Sequence, residues 1–483
     1  MKNKHFLLFI FIIVILTRLV SSNLINIYDD AYITYRYSKN LSTGDGLTYN
    51  NGEKVLGTTC PLYSILISII FILNIFDEKL MVFLNAVFDF LIIFYIYIFF
   101  DKRKKDTVIF LMLFLMSPIV TRISNGGMEM NFFVFISLLS IYLFYRNHKL
   151  TSFLLVSLSC FVRLEGAALL VILLLYEFLS EDKYTRKFKL LLVSCITVCV
   201  PLIIIYSYYG AFLPQPLISK AGHMNRNFFA TFYNLFVIRK DILLLLFLAI
   251  YYIFKQLIFI KNRIYYLLYF WLLFYTSAYL VGRPHIWSWY GYPIYILIMF
   301  FASLTISEII GYFLKPTHFE KSKVLFNNFY LIGIVIPLIF WIFIFTIKKE
   351  DVISQNISAS VKELVKSENI TESNTILASD IGIIGYFSDA YIYDMAALVW
   401  KDSKKIGRNL GNMIDTYSPD YIYLTATKHY IKSFNNSLGA SNYKPIRYIS
   451  KKSTKYDRVT LLPKKYPNYW VPEYLVLKKN INN

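Results

Sequence analysis

LMVFLNAVFDFLIIFYIYIFF, residues 80–100, is followed at once by DKRKK at 101–105. The first stretch carries a single charged side chain, Asp89. As a helix rising 1.5 Å per residue it would reach about 30 Å, the thickness of a bilayer's hydrocarbon core. A soluble core needs no such run, and a basic cluster directly behind it is how a cytoplasmic loop reads under the positive-inside rule.

Working outward, the same alternation recurs along the 483 residues, 57% of which are hydrophobic. Apolar blocks such as FLLFIFIIVILT (6–17) and 327–347 are separated by basic segments, Lys183 to Lys189 and Lys255 to Arg263 among them. The net charge of +20 could suggest a nucleic-acid partner. Its placement between apolar blocks assigns it to membrane-flanking loops instead, so no nucleic acid is expected. Lys2 and Lys4 before the first block resemble a signal sequence, but Arg18 and the many later blocks favour an uncleaved first helix. Cys60, Cys160, Cys195 and Cys199 lie almost entirely in apolar segments without accompanying His, which excludes a disulfide framework and a zinc site.

We expect spans at 6–22, 80–100, 107–122, 129–145, 151–162, 164–179, 190–209, 241–258, 264–281, 291–313 and 327–347, eleven in all. The apolar block 61–76 reads as re-entrant or interfacial, because a span there would carry KRKK and every later basic loop to the outer face. Residues 151–179 read either as one long span with Arg163 and Glu165 in its middle or as two half-spans meeting there. The N-terminus is then cytoplasmic and the C-terminus extracytoplasmic, in a multi-pass inner (plasma) membrane protein. After 347 the composition turns polar. Strands are predicted at 375–379, 383–387, 391–394, 421–425 and 456–462, and helices near 356–368 and 404–417. The domains are thus 1–347, transmembrane with a long first outer loop (23–60), and 348–483, a soluble α/β domain.

That first loop, NLINIYDDAYITYRYSKNLSTGDGLTYNNGEKVLGTTC, opens with paired carboxylates, Asp29 and Asp30. Two adjacent acids at a membrane face are costly. They read either as a helix N-cap, since acids suit a helix start, or as a general base with a partner that orients an acceptor hydroxyl or holds a cation. Arg36 and Lys39 follow. Further polar candidates at or near the outer side are Glu129 in NGGMEMNFF (125–133), Arg163 and Glu165 in VRLEG (162–166), Lys220 in FLPQPLISKAGH (212–223), and Arg283 and His285 in GRPHIWSWYGYP (282–293). An intramembrane Arg and Glu form either a buried structural ion pair or a ligand site. Converging cations would suit a lipid phosphate, which Arg binds bidentately. Trp287, Trp289, Tyr290 and Tyr292 read as an interfacial belt or as a sugar-stacking surface.

The stretch from YDDAY to GTTCPLYSIL resembles the first-loop signature of polytopic glycosyltransferases of the GT-C architecture. The likeness is greatest to terminal arabinofuranosyltransferases of the AftB type and their bacterial relatives. NGGMEMNFF resembles their glycine-Met-Glu outer turn, VRLEG their T-R-P-E-G with Leu164 in place of proline, and ASDIGIIGYFSDAYIYDMAAL (378–398) the opening of their outer C-terminal domain. GRPHIWSWYG matches the corresponding outer loop only loosely. The resemblance implies inverting transfer from a polyprenyl-phosphate sugar donor to a glycan or glycolipid acceptor, with Asp29 or Asp30 as base. Arg163, Lys220 and Arg283 would offset the phosphate's charge. It does not specify the sugar. No GxGxxG or Walker loop supports nucleotide use. The aspartate pair is compatible with a divalent metal, although the sequence names no further ligands, so no cofactor is assigned. Two other classes compete: a transporter or flippase of envelope precursors, which should show repeated halves with broken helices, and a non-catalytic envelope assembly protein, which would tolerate loss of both aspartates.

Overall fold

The computed structural model describes all residues except 1–2, 24, 26, 182, 222–226, 239, 261, 285–286, 314–354, 401, 403–408, 426–433, 435–441, 450–473 and 481–483. The described residues divide into two compact units. One comprises Met1–Ser22, Asp77–Ile203 and His223–Lys348, and the other Asn23–Phe76, Ile204–Gly222 and Lys349–Asn483.

The first unit is helical. Six helices among the described residues are long and apolar enough to cross a membrane, including Asn3–Ser22, Glu78–Phe99 and Arg263–Gly282. A seventh crossing is formed if the bent pair Lys104–Met116 and Pro118–Asn125 counts as one span. The pair turns through 73°. Ser117 is extended there, as a residue before proline must be, and Pro118 opens the second piece at a position where its missing N–H costs nothing.

The eleven expected spans are therefore not all of full length. The expected crossings at 151–162 and 164–179 fall on helices Lys149–Ser159 and Gly166–Phe178, of 11 and 13 residues. At 1.5 Å per residue each is about 16–20 Å long, too short to cross alone. Of the two readings of 151–179, the half-helix one is observed. The expected span 327–347 lies outside the described residues. The core is the helix Tyr292–Phe313, on which Ile294 to Ala302 have essentially no exposure. A helix apolar all round is one buried on every side.

In the second unit, strands β1 (Thr375–Ala378), β2 (Tyr391–Asp394), β3 (Tyr421–Thr425), β4 (Tyr443–Ile449) and β5 (Tyr474–Lys479) form one sheet in the order β2-β1-β3-β5-β4. β1 is parallel to β2 and β3, and β5 runs antiparallel to β3 and β4. Leu377, Trp400, Met413, Ile422 and Leu477 contribute to its core. The strands predicted at 375–379, 391–394 and 421–425 are found, and 456–462 lies outside the described residues. The predicted strand 383–387 is instead inside a helix, Gly382–Ser388. A short apolar run is ambiguous by periodicity, and a seven-residue helix owes little to its own propensity. What selects it is a tertiary contact described below. The helix predicted at 404–417 is observed from Leu410 to Tyr417, with 404–408 outside the described residues.

The first loop belongs to this same unit. Its helix, Asp29–Thr43, has acids in the first turn, where they favour the dipole. It ends at Gly44 in the left-handed conformation (φ 94°), whose N–H reaches back to the carbonyls of Asn40 and Leu41. Pro61–Ile72 packs against it. With 12 residues, about 18 Å, that helix is too short to cross a bilayer by itself.

Candidate functional site

Asp29 and Asp30 occupy the first two positions of the first-loop helix. The Asp29 side chain does not cap that helix. Its Oδ2 accepts the N–H of Gly382 at 2.8 Å and its Oδ1 the N–H of Ile383 at 2.8 Å. The helix Gly382–Ser388 has no capping side chain at its own Ile381, so Asp29 satisfies two amide donors that would otherwise be orphaned. A Cβ at Gly382 would collide with the Asp29 backbone carbonyl, so only glycine permits this approach.

The contact extends along both segments. Arg36 donates from Nη1 to the Gly385 carbonyl at 2.8 Å and from Nη2 to the Ala390 carbonyl at 2.7 Å. Its guanidinium lies 4.3 Å from the centroid of the Tyr49 ring. Tyr49 donates to the Ile381 carbonyl at 2.6 Å. Asn50 accepts the Ile392 N–H and donates to the Ile392 carbonyl, each at 3.0 Å, so its amide pairs with β2 as a neighbouring strand would. Lys39 pairs with Asp389 at 2.6 Å. The loop and the segment 378–398, separately marked by the resemblance, are thus one interlocked structure. Arg36 is buried in this lock.

Asp380 lies two residues past the end of β1 and accepts from Thr425 at the end of β3 and from Tyr474 at the start of β5, both at 3.0 Å. Part of Asp29 stays accessible, but its carboxyl is enclosed. Burial first, then the Asp380 carboxyl, push its pKa up to about 8, against the pull of the Ile383 and Gly382 amides. Burial also raises Asp380, opposed by its two hydroxyl donors. In the sequence, Asp380, Asp389 and Asp394 lie among strand ends, where turn-capping explains them about as well as chemistry does. Asp394 is a turn-capping residue, accepting the amides of Ala396, Leu398 and Val399, whereas Asp380 is close enough to Asp29 to repel its charge.

In the other unit, Arg163 and Glu165 lie in the break between the two half-helices. Arg163 pairs through Nη1 with Glu129 at 2.5 Å and through Nη2 and Nε with Glu165 at 2.8 and 3.2 Å. Tyr279 donates to Glu165. The guanidinium lies 5.2 Å from the centroid of the Tyr290 ring, which ties the aromatic segment around Tyr290 to the cluster. Trp287 and Trp289 stack in parallel there, centroids 5.4 Å apart. Every nitrogen of Arg163 is engaged by carboxylate, and the three charged groups sum to −1. Arg283 is exposed, in the left-handed conformation (φ 46°) just past helix Arg263–Gly282. Lys220 lies on the helix Gln215–Ala221, and His285 is outside the described residues.

A second buried network has no counterpart in the sequence reading. Arg18 pairs with Asp89 at 2.7 Å and donates to Thr121 at 2.9 Å. Asn131 and Tyr292 donate to the other oxygen of Asp89 at 2.5 and 2.9 Å. Among the described residues, no three His, Cys, Asp or Glu side chains converge so as to hold a metal ion.

Residues 351–471 match a family described as a domain of unknown function, DUF8728. No curated protein matches the chain. Among solved structures the chain is similar to ArnT from Cupriavidus metallidurans bound to undecaprenyl phosphate. The TM-score is 0.66 at 9% identity, over 100% of this chain and 99% of that one. The same protein in its apo state gives 0.64 at 9% identity, over 99% and 98%. This is a multi-pass membrane protein with an ArnT-like GT-C fold and a small C-terminal sheet region.

Proposed function

We propose that the chain is a membrane glycosyltransferase that takes a sugar from a polyprenyl-phosphate donor and transfers it, with inversion, to an extracytoplasmic glycan or lipid-linked acceptor. The observation that carries the reading is the whole-chain likeness in fold to ArnT, whose structure holds undecaprenyl phosphate. The first-loop aspartate pair supplies the chemistry. A sugar hydroxyl is a poor nucleophile at neutral pH. In the proposed step its oxygen bonds to the anomeric carbon as the bond to the phosphate oxygen breaks. The proton passes to Asp29 or Asp30, and the lipid phosphate leaves with the electron pair. Lys220 and Arg283 are the cations proposed for that phosphate. The ion pairs of Arg163 with Glu129 and Glu165 suit it better to holding the broken helix and the aromatic loop in place. The C-terminal domain binds or shields the acceptor in this reading, and the sugar is left unassigned.

The test is purified protein incubated with a panel of polyprenyl-phosphate sugars and scored for released lipid phosphate. Release with one donor, dependent on acceptor and lost in the Asp29→Asn/Asp30→Asn double variant, supports the reading. A well-expressed double variant as active as the parent, or no release with any donor, sinks it.

A further inference from the structure

Lys149, in the first turn of helix Lys149–Ser159, pairs with Glu177, near the end of helix Gly166–Phe178, at 2.6 Å. At the opposite end, a Cβ on Gly166 would collide with the Ser159 Oγ and the Cys160 amide nitrogen. The two half-helices therefore lie side by side as a hairpin. Both of its ends are on one membrane face, and Arg163, Leu164 and Glu165 form its tip. Lys187 marks that face, donating to the carbonyls of Phe178 and Ser180 at 3.0 and 2.5 Å, where the second half-helix ends. The charge asymmetry makes this basic face the cytoplasmic one.

Three helices give the height of the tip independently. At 1.5 Å per residue, Glu165 stands about 18 Å above Glu177, Glu129 about 25 Å above Arg146, and Tyr279 about 24 Å above Arg263. Arg163 holds both glutamates and Tyr279 donates to Glu165, so the three heights belong to one cluster. Against a hydrocarbon core about 30 Å thick, the cluster lies roughly 5–12 Å beneath the outer boundary. Elsewhere the unit is of full thickness. Glu78–Phe99 and Tyr292–Phe313 reach about 33 Å, and Tyr184–Tyr209 about 39 Å.

The hairpin's flank is apolar and exposed at Leu150, Leu154, Val171 and Leu175. Leu164 at the tip is exposed as well among the described residues, and the backbone there is not helical. Non-helical backbone does not occur in contact with hydrocarbon, where its polar groups find no water. A lipid-facing segment shorter than the core is met by local thinning of the bilayer.

We propose that the bilayer thins at this hairpin, the outer leaflet dipping until its lipid head groups meet the tip at Leu164. The partner of this surface is the outer leaflet itself, and the dip brings head groups beside the Arg163–Glu129–Glu165 cluster. It exists whether or not the chain transfers sugar.

The test places a bimane dye at Leu164→Cys, with Ile203→Cys as reference, in the full-length protein after replacing Cys60, Cys160, Cys195 and Cys199 by alanine. Ile203 is exposed on the full-length helix Tyr184–Tyr209, about 24 Å above Lys187, and so stands at the cluster's height. In phosphatidylcholine bilayers, each dye is quenched by lipids carrying a nitroxide on the head group or deep in the acyl chain. With the two sites differing by roughly 5–12 Å in distance to the head groups, the ratio of head-group to deep quenching should be at least about threefold higher at 164 than at 203. Equal ratios mean that the tip lies in hydrocarbon at its nominal depth. A dye at 164 quenched by neither lipid means that protein covers it. Either result overturns the dip. If the cysteine-free chain does not fold, the dye is introduced as an unnatural amino acid in the otherwise unaltered chain, and the same comparison decides.

Discussion

Arg18 on the first helix and Asp89 on the helix Glu78–Phe99 form an ion pair at 2.7 Å in which neither side chain is exposed. Asn131 and Tyr292 complete the carboxylate from two further helices, and Thr121 engages the guanidinium. Removing one partner from such a pair strands the other charge in a low-dielectric interior. Asp89→Asn should therefore destabilise the membrane unit by about 3–5 kcal/mol. Replacing both, Arg18→Met with Asp89→Leu, should recover much of the loss, because matched apolar residues carry no desolvation penalty. Thermal unfolding in detergent checks this. A single variant as stable as the parent would show the pair to be dispensable.

The Arg163 cluster distinguishes structural from ligand roles. With both glutamates bound to it, Arg163→Lys keeps the charge but loses the forked geometry. Loss of thermal stability together with lower activity is expected, at an unchanged KM for donor. A variant of parental stability whose donor KM rises would instead place Arg163 on the phosphate.

Close approach of the first loop to the helix Gly382–Ser388 requires two glycines. A Cβ at Gly385 would meet the Tyr49 hydroxyl and Arg36, as one at Gly382 would meet the Asp29 backbone. Gly382→Ala should cost roughly 1–3 kcal/mol or more, since the obstacle is backbone. Gly385→Ala should cost less if Tyr49 can turn aside. Unfolding monitored by protease susceptibility of the first loop reads both, and parental resistance in Gly382→Ala would contradict the packing described.

The proximity of Asp29 and Asp380 should make stability depend on pH. Asp29 rises from 3.8 to about 8 in the folded protein through burial and the neighbouring Asp380, with Asp30 adding repulsion. Folded Asp29 thus holds a proton that the unfolded chain releases, so its contribution is full below about 3.8 and is lost as pH rises through about 8. Asp380→Asn removes the repelling charge while its amide oxygen can still accept from Tyr474 and Thr425. Its melting temperature should match the parent near pH 4 and exceed it by a few degrees near pH 9. An Asp380→Asn melting curve parallel to the parent's across that range would mean that the two carboxyls do not interact.

Hydrophobic length and charge placement by themselves determined that this is a multi-pass membrane protein with a polar α/β end, because each span must satisfy its backbone within one continuous stretch of chain. Two charges between apolar runs left the break at Arg163–Glu165 as one of two readings, and the structure chose it. Residue types singled out Asp29, Arg36, Glu129 and Arg163, but not what they touch. That Asp29 bonds amides more than 350 residues away, that 383–387 is helical, and that Arg163 pairs with Glu129 as well as Glu165 were decided only by the tertiary structure. A hydrogen-bonding side chain carries no mark of its partner, and a short apolar run such as 383–387 takes whichever conformation its neighbours complete. Arg18 and Asp89 lie on different helices 71 residues apart, and only the packing of those helices makes them a pair.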